Sequence, residues 1–520
     1  MRRIPLTLAA TAALLPVVYA LSAVPAQAAN GSLAVTTIGR NGARITSTVN
    51  ILSMSTWAVS TVHSGQRASL AKGRYAVLTD IQTPDTSPAV MGMTDTLAAQ
   101  EITVSGSDSL TLDARKGKQI KISLDATSGS AAKNYTGFVN GAVCAGPTTL
   151  GQVGAYNEPG GLYEIPNSSR DLSFAWLQSW QGDSNGTGYL LSSQSTGLPA
   201  VPSAGYRKSQ LAQVNATARR SEQASGATSI ELQPTPAQLD CQTDLWGGGY
   251  QQDAPFSRTF YVTPGVWTSR TDIFGSQGDI GGAFASPTDF LAGHSYSQIF
   301  GKAVWGPTSG IPYVSGRAVR FDSSGLINDA TGGTDGSAGS RGTVTLTRNG
   351  KTVKSQSYSG GAAFSAGINA AGWYNLVQSG ARTTAGTLSS NVTVNWHFYA
   401  NPATSQVLPG YTAQLSPAGL GGFNQATPKS TTDVAVYLSR TQGNGWYGPG
   451  FAKETVKSLQ MWSSGDNGKT WQTIQVSRSG NHFVAAVHNP ASGAVALRTL
   501  VTDTQGNTSD QTIVRAYAIG

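Results

Sequence analysis

The chain has 520 residues, 35 of them Lys or Arg and 27 Asp or Glu, for a formal net charge of +8 at pH 7. Charged residues make up 12%, against roughly 25% in an ordinary soluble protein, and 62 residues are Gly. This excludes a coiled coil, a helical repeat and an acidic disordered chain, and it fits a Gly/Ser/Thr-rich, strand-rich secreted protein of three to four domains.

The first segment reads as an export leader. Arg2 and Arg3 form a positive start, an apolar stretch runs from Ile4 to Val24, and Ala26-Gln27-Ala28 is a small-x-small cleavage site. The signal peptide is therefore expected over residues 1–28, with the mature chain starting at Ala29. Removing the two arginines lowers the net charge by two, to +6. No later stretch reaches the 18 or more apolar residues of a membrane helix, so no membrane span is expected and the product is read as secreted and extracellular.

After the leader, period-two alternation with Gly/Asn/Asp/Ser punctuation recurs throughout, and helix-period stretches are nearly absent. An all-β fold of several β-sandwich domains follows. A first domain is placed over 29–124, a second over 125–310, a third over 311–429 and a fourth over 430–520. Tyr206 to Glu222 suits a helix or a strand equally, because Leu211 and Val214 fit both spacings.

The second domain holds both cysteines, Cys144 and Cys241. In an oxidising compartment an even pair favours a disulfide. It would close a loop of about 97 residues, worth up to roughly 4–5 kcal/mol in the chain-entropy model. Gly182-Asp183-Ser184-Asn185-Gly186 matches the nucleophile-elbow pattern G-x-S-x-G, but its flanks read as two strands joined by a turn, where the elbow needs a strand followed by a helix. Trp246 and Tyr250 lie in the Gly-rich loop Trp246-Gly247-Gly248-Gly249-Tyr250, and Trp446 and Tyr447 in a similar loop of the fourth domain. Exposed aromatics are platforms for sugar rings or partner surfaces, so these four are the candidate binding residues.

In the third domain, Thr343 to Thr347 and Thr352-Val353 flank Arg348-Asn349-Gly350-Lys351. Asn349-Gly350 predicts a type I′ hairpin turn. In the fourth, Ser464-Gly465-Asp466-Asn467-Gly468-Lys469-Thr470-Trp471 matches the Asp-box, S-x-D-x-G-x-T-W. Asp466 can accept backbone N–H bonds across the turn, Gly468 supplies a backbone conformation that a side chain would strain, and Trp471 packs on the hairpin. These residues are structural and supply no catalytic group. Alternation from Ala494 to Thr502, a turn at Thr504 to Asn507 and a run from Gln511 to Tyr517 predict a closing hairpin.

No complete catalytic set emerges. The five histidines lie outside recognisable motifs; His482 and His488 share a parity, so one strand face could carry both, but no third metal ligand accompanies them. Glutamates are few, and nothing marks a pair of positioned carboxylates of the kind a glycosidase needs. The scattered positive charge forms no basic stripe, which argues against nucleic acid, while a net +6 favours anionic cell-wall polymers. No cofactor and no metal are expected.

Further stretches follow one another along the chain in a characteristic order. They are Leu70-Ala71-Lys72-Gly73-Arg74-Tyr75 with Leu112-Asp113-Ala114-Arg115, then Ala292-Gly293-His294-Ser295-Tyr296 with Ala303-Val304-Trp305-Gly306-Pro307, then Leu388-Ser389-Ser390 leading to Trp396-His397-Phe398. Ser464 to Trp471, Ala496-Leu497-Arg498, Asp503 to Asn507 and Gln511 to Tyr517 complete the series. With this series the mature chain resembles the long non-catalytic tail of large secreted subtilisin-like serine proteases of actinobacteria. The resemblance implies a transthyretin-like first domain, an immunoglobulin-like last domain and an extracellular location. The catalytic Asp, His-Gly-Thr-His and Gly-Thr-Ser-Met-Ala motifs of those proteases are absent from the sequence, so proteolysis is not implied. The function expected is that of a secreted, non-catalytic accessory or binding protein whose partner is a cell-wall polymer, a polysaccharide or a secreted protease. A sialidase-like glycoside hydrolase and a purely structural extracellular protein are the alternatives.

Overall fold

A computed structural model describes residues 31–86, 92–124, 136–146, 151–181, 187–220, 227–234, 250–275, 278–307, 312–323, 325–327, 340–361, 363–382, 388–408, 410–439 and 456–520. Residues 1–28, expected as a leader, lie outside them. Among the described residues there is no α-helix, only strands and short 3-10 turns such as Ala114–Lys116 and Lys208–Gln210. The protein is all-β, built as stacked sheets. Among the described residues no helix is long and apolar enough to cross a membrane.

Alternation in sequence becomes alternation in burial. Strand Gly31–Ile38 buries Leu33, Val35 and Thr37 and turns the residues between them outward. It lies between strands Arg67–Leu70 and Ser107–Asp113 in a three-stranded sheet. A six-stranded sheet, whose centre is Thr48–Ser53, Gly73–Pro84 and Met93–Val104, packs on it through Val49, Ile51, Val77 and Ile81.

The boundary expected at 124 is bridged by main-chain pairing. Leu162–Glu164 adds to the six-stranded sheet parallel to Met93–Val104, and Lys121–Leu124 pairs with Ser203–Tyr206. The ambiguous stretch after Tyr206 resolves as strand Ala212–Ala218, whose strict alternation buries Ala212, Val214, Ala216 and Ala218. It belongs to a seven-stranded sheet that is apolar on both faces. Val139, Val143, Phe174 and Trp176 pack toward the first module, while Ala142, Ala175, Val214 and Phe260 pack the other way with Trp267 and Phe290.

The boundary expected at 429 is also bridged. A nine-stranded sheet contains Ser340–Arg348, Gly372–Arg382 and Asn391–Ala400 from before it and Val456–Ser464, Gly493–Asp503 and Thr508–Ile519 from after it. The join is antiparallel pairing of Asn391–His397 with Thr508–Val514. One apolar core, from Ala303 to Tyr517, lies under the sheet. Two four-stranded sheets cover it, one with Phe321 against Trp396 and one carrying Leu415, Val434 and Val487.

One corner recurs in three sheets: the six-stranded one, the nine-stranded one, and a four-stranded one that contains Gly265–Gly275 and Gly278–Phe290. Tyr75 Oη donates to the carbonyl of Ala71 at 2.8 Å, Tyr374 Oη to Ala370 at 2.7 Å, and Trp267 Nε1 to Thr263 at 2.8 Å. In each, a glycine (Gly73, Gly372, Gly265) stands two residues before the ring at positive φ. This is the tyrosine-corner device of β-sandwiches, with an indole replacing a phenol once.

Candidate functional site

Three of the four loop aromatics singled out in the sequence, Trp246, Trp446 and Tyr447, fall outside the described residues, as does the Gly182–Gly186 stretch. Tyr250 opens strand Tyr250–Asp253, opposite Ile230, and its side chain is not described. Cys144 is 2% exposed within strand Thr136–Ala145, and Cys241 lies outside the described residues.

The turn from Ser464 to Trp471 is held by its own side chains. Asp466 accepts from the Ser464 hydroxyl at 2.6 Å, the Thr470 hydroxyl at 2.6 Å, and the N–H groups of Thr470 and Lys469 at 2.9 and 3.0 Å. The two hydroxyl donors foremost hold its carboxyl well below the usual range. Gly468 has φ +86, and a Cβ there would lie 3.2 Å from the Trp471 ring. With its oxygens so engaged, Asp466 offers nothing to a substrate.

The two histidines of strand His482–His488 stand at its opposite ends, roughly 20 Å apart at about 3.3 Å per residue, and share no ion. His482 stacks on Tyr437, and His488 bonds the Thr431 hydroxyl. Three buried carboxyls went unnoticed in the sequence. Burial, with Asp95 beside it, pushes Asp80 up to about 8, and Asp95 accepts from Gln82 and Asn157. Glu164 is 0% exposed, neither carboxyl oxygen has a partner, and burial pushes it up to about 8. Asp95 and Glu164 are closed off inside the fold, which is no place for a glycosidase pair to meet substrate.

A different set of residues converges on the outer face of the nine-stranded sheet. Strands Gly372–Arg382 and Asn391–Ala400 pair with Trp373 opposite Tyr399 and Asn375 opposite His397. Tyr374, Leu376, Trp396 and Phe398 point into the core, so residues of the other parity face out. Trp373 is 40% exposed and Tyr399 47%. The Trp373 ring stacks on His397 with centroids 4.8 Å apart at 10°, and meets Tyr399 edge-on at 5.9 Å. Asn375 Oδ1 lies 2.9 Å from His397 Nδ1 and fixes the imidazole under the indole.

Beyond these rings the face is polar. Thr393 and Asn395 lie on it beside Thr512 and Asp510 of the neighbouring strand. Arg498 holds Asp510 with two bonds and lies over the Trp462 ring at 5.2 Å. Four strand steps separate Trp373 from Trp462, roughly 19 Å across the sheet. Chemically this is a rigid, half-exposed aromatic end on a hydroxyl- and amide-bearing surface whose Arg498 and Asp510 charges are paired with each other. Sequence reasoning missed Trp373 and Tyr399, although a signal was present: in Trp396-His397-Phe398-Tyr399 one parity must face out.

No family model matches the chain, and no curated protein matches it. Among solved structures it is similar to the Bacillus anthracis TIE protein, at 11% identity and TM-score 0.13, over 52% of this chain and 50% of that one. It is similar to a tetra-tandem repeat from the extending region of a large adhesion protein, at 12% identity and TM-score 0.15, over 74% and 92%. It is also similar to Escherichia coli alpha-2-macroglobulin activated by porcine elastase, at 8% identity and TM-score 0.14, over 93% and 53%. The chain thus spans about half the length of the first and third of these. Likeness at such scores carries no argument about function.

Proposed function

We propose that this chain is an extracellular, non-catalytic binding protein whose nine-stranded sheet docks neutral polysaccharide on its outer face. The observation that carries this reading is the exposed cluster of Trp373, His397 and Tyr399. Stacked, immobilised rings present flat apolar area at little entropic cost, and pyranose C–H faces pack on such rings. The neighbouring Asn and Thr side chains match sugar hydroxyls as donors and acceptors. The leader over residues 1–28 and the resemblance to secreted-protease tails support export. A Cys144–Cys241 disulfide belongs to the same reading: the oxidised protein is expected to show no free thiol, and one thiol-reactive equivalent per cysteine after reduction. Titratable thiol in the unreduced, unfolded protein would reject the pairing.

The test is retention of the protein on insoluble neutral polysaccharides at high salt. Wild type is expected to be retained on at least one, with Trp373→Ala and Tyr399→Ala weakening retention at least tenfold at unchanged thermal midpoint. Equal retention of Trp373→Ala, or no retention of wild type on any of them, would overturn the reading.

A further inference from the structure

A cavity of about 420 Å³ opens at the end of the sandwich where strand Gly372–Arg382 begins. Arg317, Arg348 and Asn369 supply its polar groups, and Val353, Ile368 and Tyr374 its apolar wall. That mixture of apolar lining and a few convergent polar groups is the composition of a small-ligand site. None of these residues is acidic, and no ion pair among the described residues involves either arginine.

The backbone holds the Arg348 guanidinium and sets where the Arg317 side chain starts. Arg348 Nη2 donates to the carbonyl of Ala371 at 2.9 Å, and its guanidinium lies 5.4 Å from the Tyr374 ring centroid. A Cβ at position 372 would come within 2.9 Å of the same nitrogen, so Gly372 makes the room. Arg317 stands in the two-residue turn between Tyr313–Ser315 and Ala318–Asp322, with φ +59 at Gly316 and +62 at Arg317. Such a turn favours Gly or Asn at both positions. A long cationic side chain held there, with the turn tied to the cavity wall by the Ile368 N–H bonding Arg317 O at 2.9 Å, is a locally unfavourable choice of the sort that clusters at functional sites.

We propose that this cavity binds the carboxylate of an acidic sugar residue. The two guanidinium forks take the carboxylate oxygens through charge-assisted bonds, and the ring's apolar face rests on Val353 and Ile368. Arg320, whose guanidinium lies 4.0 Å from the position of a Cβ on Gly316, adds to the positive field at the rim. The site is separate from the aromatic cluster: Trp373 faces the outer side of the sheet and Tyr374, its neighbour, the cavity.

The experiment is calorimetric titration of the full mature chain, in salt high enough to screen the net charge, with three probes: trigalacturonic acid, its methyl ester and glycerol 3-phosphate. Trigalacturonic acid is expected to bind, and the ester and the phosphate at least tenfold more weakly. Arg317→Asn is expected to weaken binding at least tenfold while leaving the thermal midpoint equal or higher, because Asn accepts positive φ. Arg348→Lys should weaken it similarly, and Trp373→Ala should leave it within twofold, which separates this site's failure from that of the aromatic cluster. Equal binding of acid and ester, phosphate binding as tight as the acid, no binding of the acid, or indifference to both arginine substitutions would each overturn the proposal.

Discussion

Glu164 occupies the six-stranded sheet opposite Leu97, sealed from water, with neither carboxyl oxygen partnered. A charge there is strongly disfavoured, so the folded protein keeps the proton up to about pH 8, while the unfolded chain releases it near 4.5. Between those values the native state binds more protons than the unfolded state, and stability falls as pH rises. The loss by pH 8 is on the order of a few kcal/mol, at about 1.4 kcal/mol per pKa unit. The thermal midpoint should therefore drop from pH 5 to pH 8. Glu164→Gln should remove about half of that slope and raise the midpoint at pH 8, with Asp80, shifted at least as far in the same direction, retaining the other half. An unchanged slope in Glu164→Gln would refute the assignment. Asp466 has the opposite sense, since its turn stabilises the ionised form. Asp466→Ala should lower the midpoint at pH 7, less so in strongly acid solution, without changing retention on polysaccharide. Its residue pattern was readable in the sequence because all its bonds are local; Glu164's burial was not, because Leu97 is 67 positions away.

At the scale of single elements, alternation translated directly into strands. The Asn349-Gly350 turn has both φ values positive, at 48 and 74, and joins Arg348 to Lys351. The hairpin Gly493–Asp503 to Thr508–Ile519 encloses the expected run and turn, with the Asp503 carboxylate accepting from the N–H groups of Gln505 and Asn507. The corner of glycine and aromatic ring shared by three sheets was not noticed as a repeat, because its copies are far apart and share only three positions. Its contribution is measurable. Tyr75→Phe and Tyr374→Phe should each cost about 1 kcal/mol in urea-induced unfolding, the worth of one buried hydrogen bond. Costs near zero in both would reduce the corner to a packing preference.

For the whole molecule, the nine-stranded sheet joins segments that composition alone divides at 429. Ile513 and Tyr517, both buried, lie on the strand that crosses the join or continues from it. Cutting there would uncover an apolar core face and a long unpaired strand edge. A fragment of residues 430–520 is therefore expected to be insoluble or unfolded, whereas 303–520 should unfold in a single calorimetric transition. A monomeric 430–520 fragment with a dispersed amide spectrum would contradict the shared core.

The all-β class, the turn at Asn349-Gly350 and the self-contained Ser464–Trp471 hairpin were legible from residue order, since period-two patterning, positive φ and short-range hydrogen bonds act over a few residues. Trp373 and Tyr399 went unremarked in the sequence, although the parity that sends Trp396 inward sends Tyr399 outward. It took long-range strand pairing to span two expected domain boundaries, to bring Trp373, His397 and Tyr399 onto one face, and to place Arg317 and Arg348 at one cavity. Those outcomes depend on strand pairings between residues tens to more than a hundred positions apart, and main-chain hydrogen bonds of that kind leave no local trace in the order of side chains.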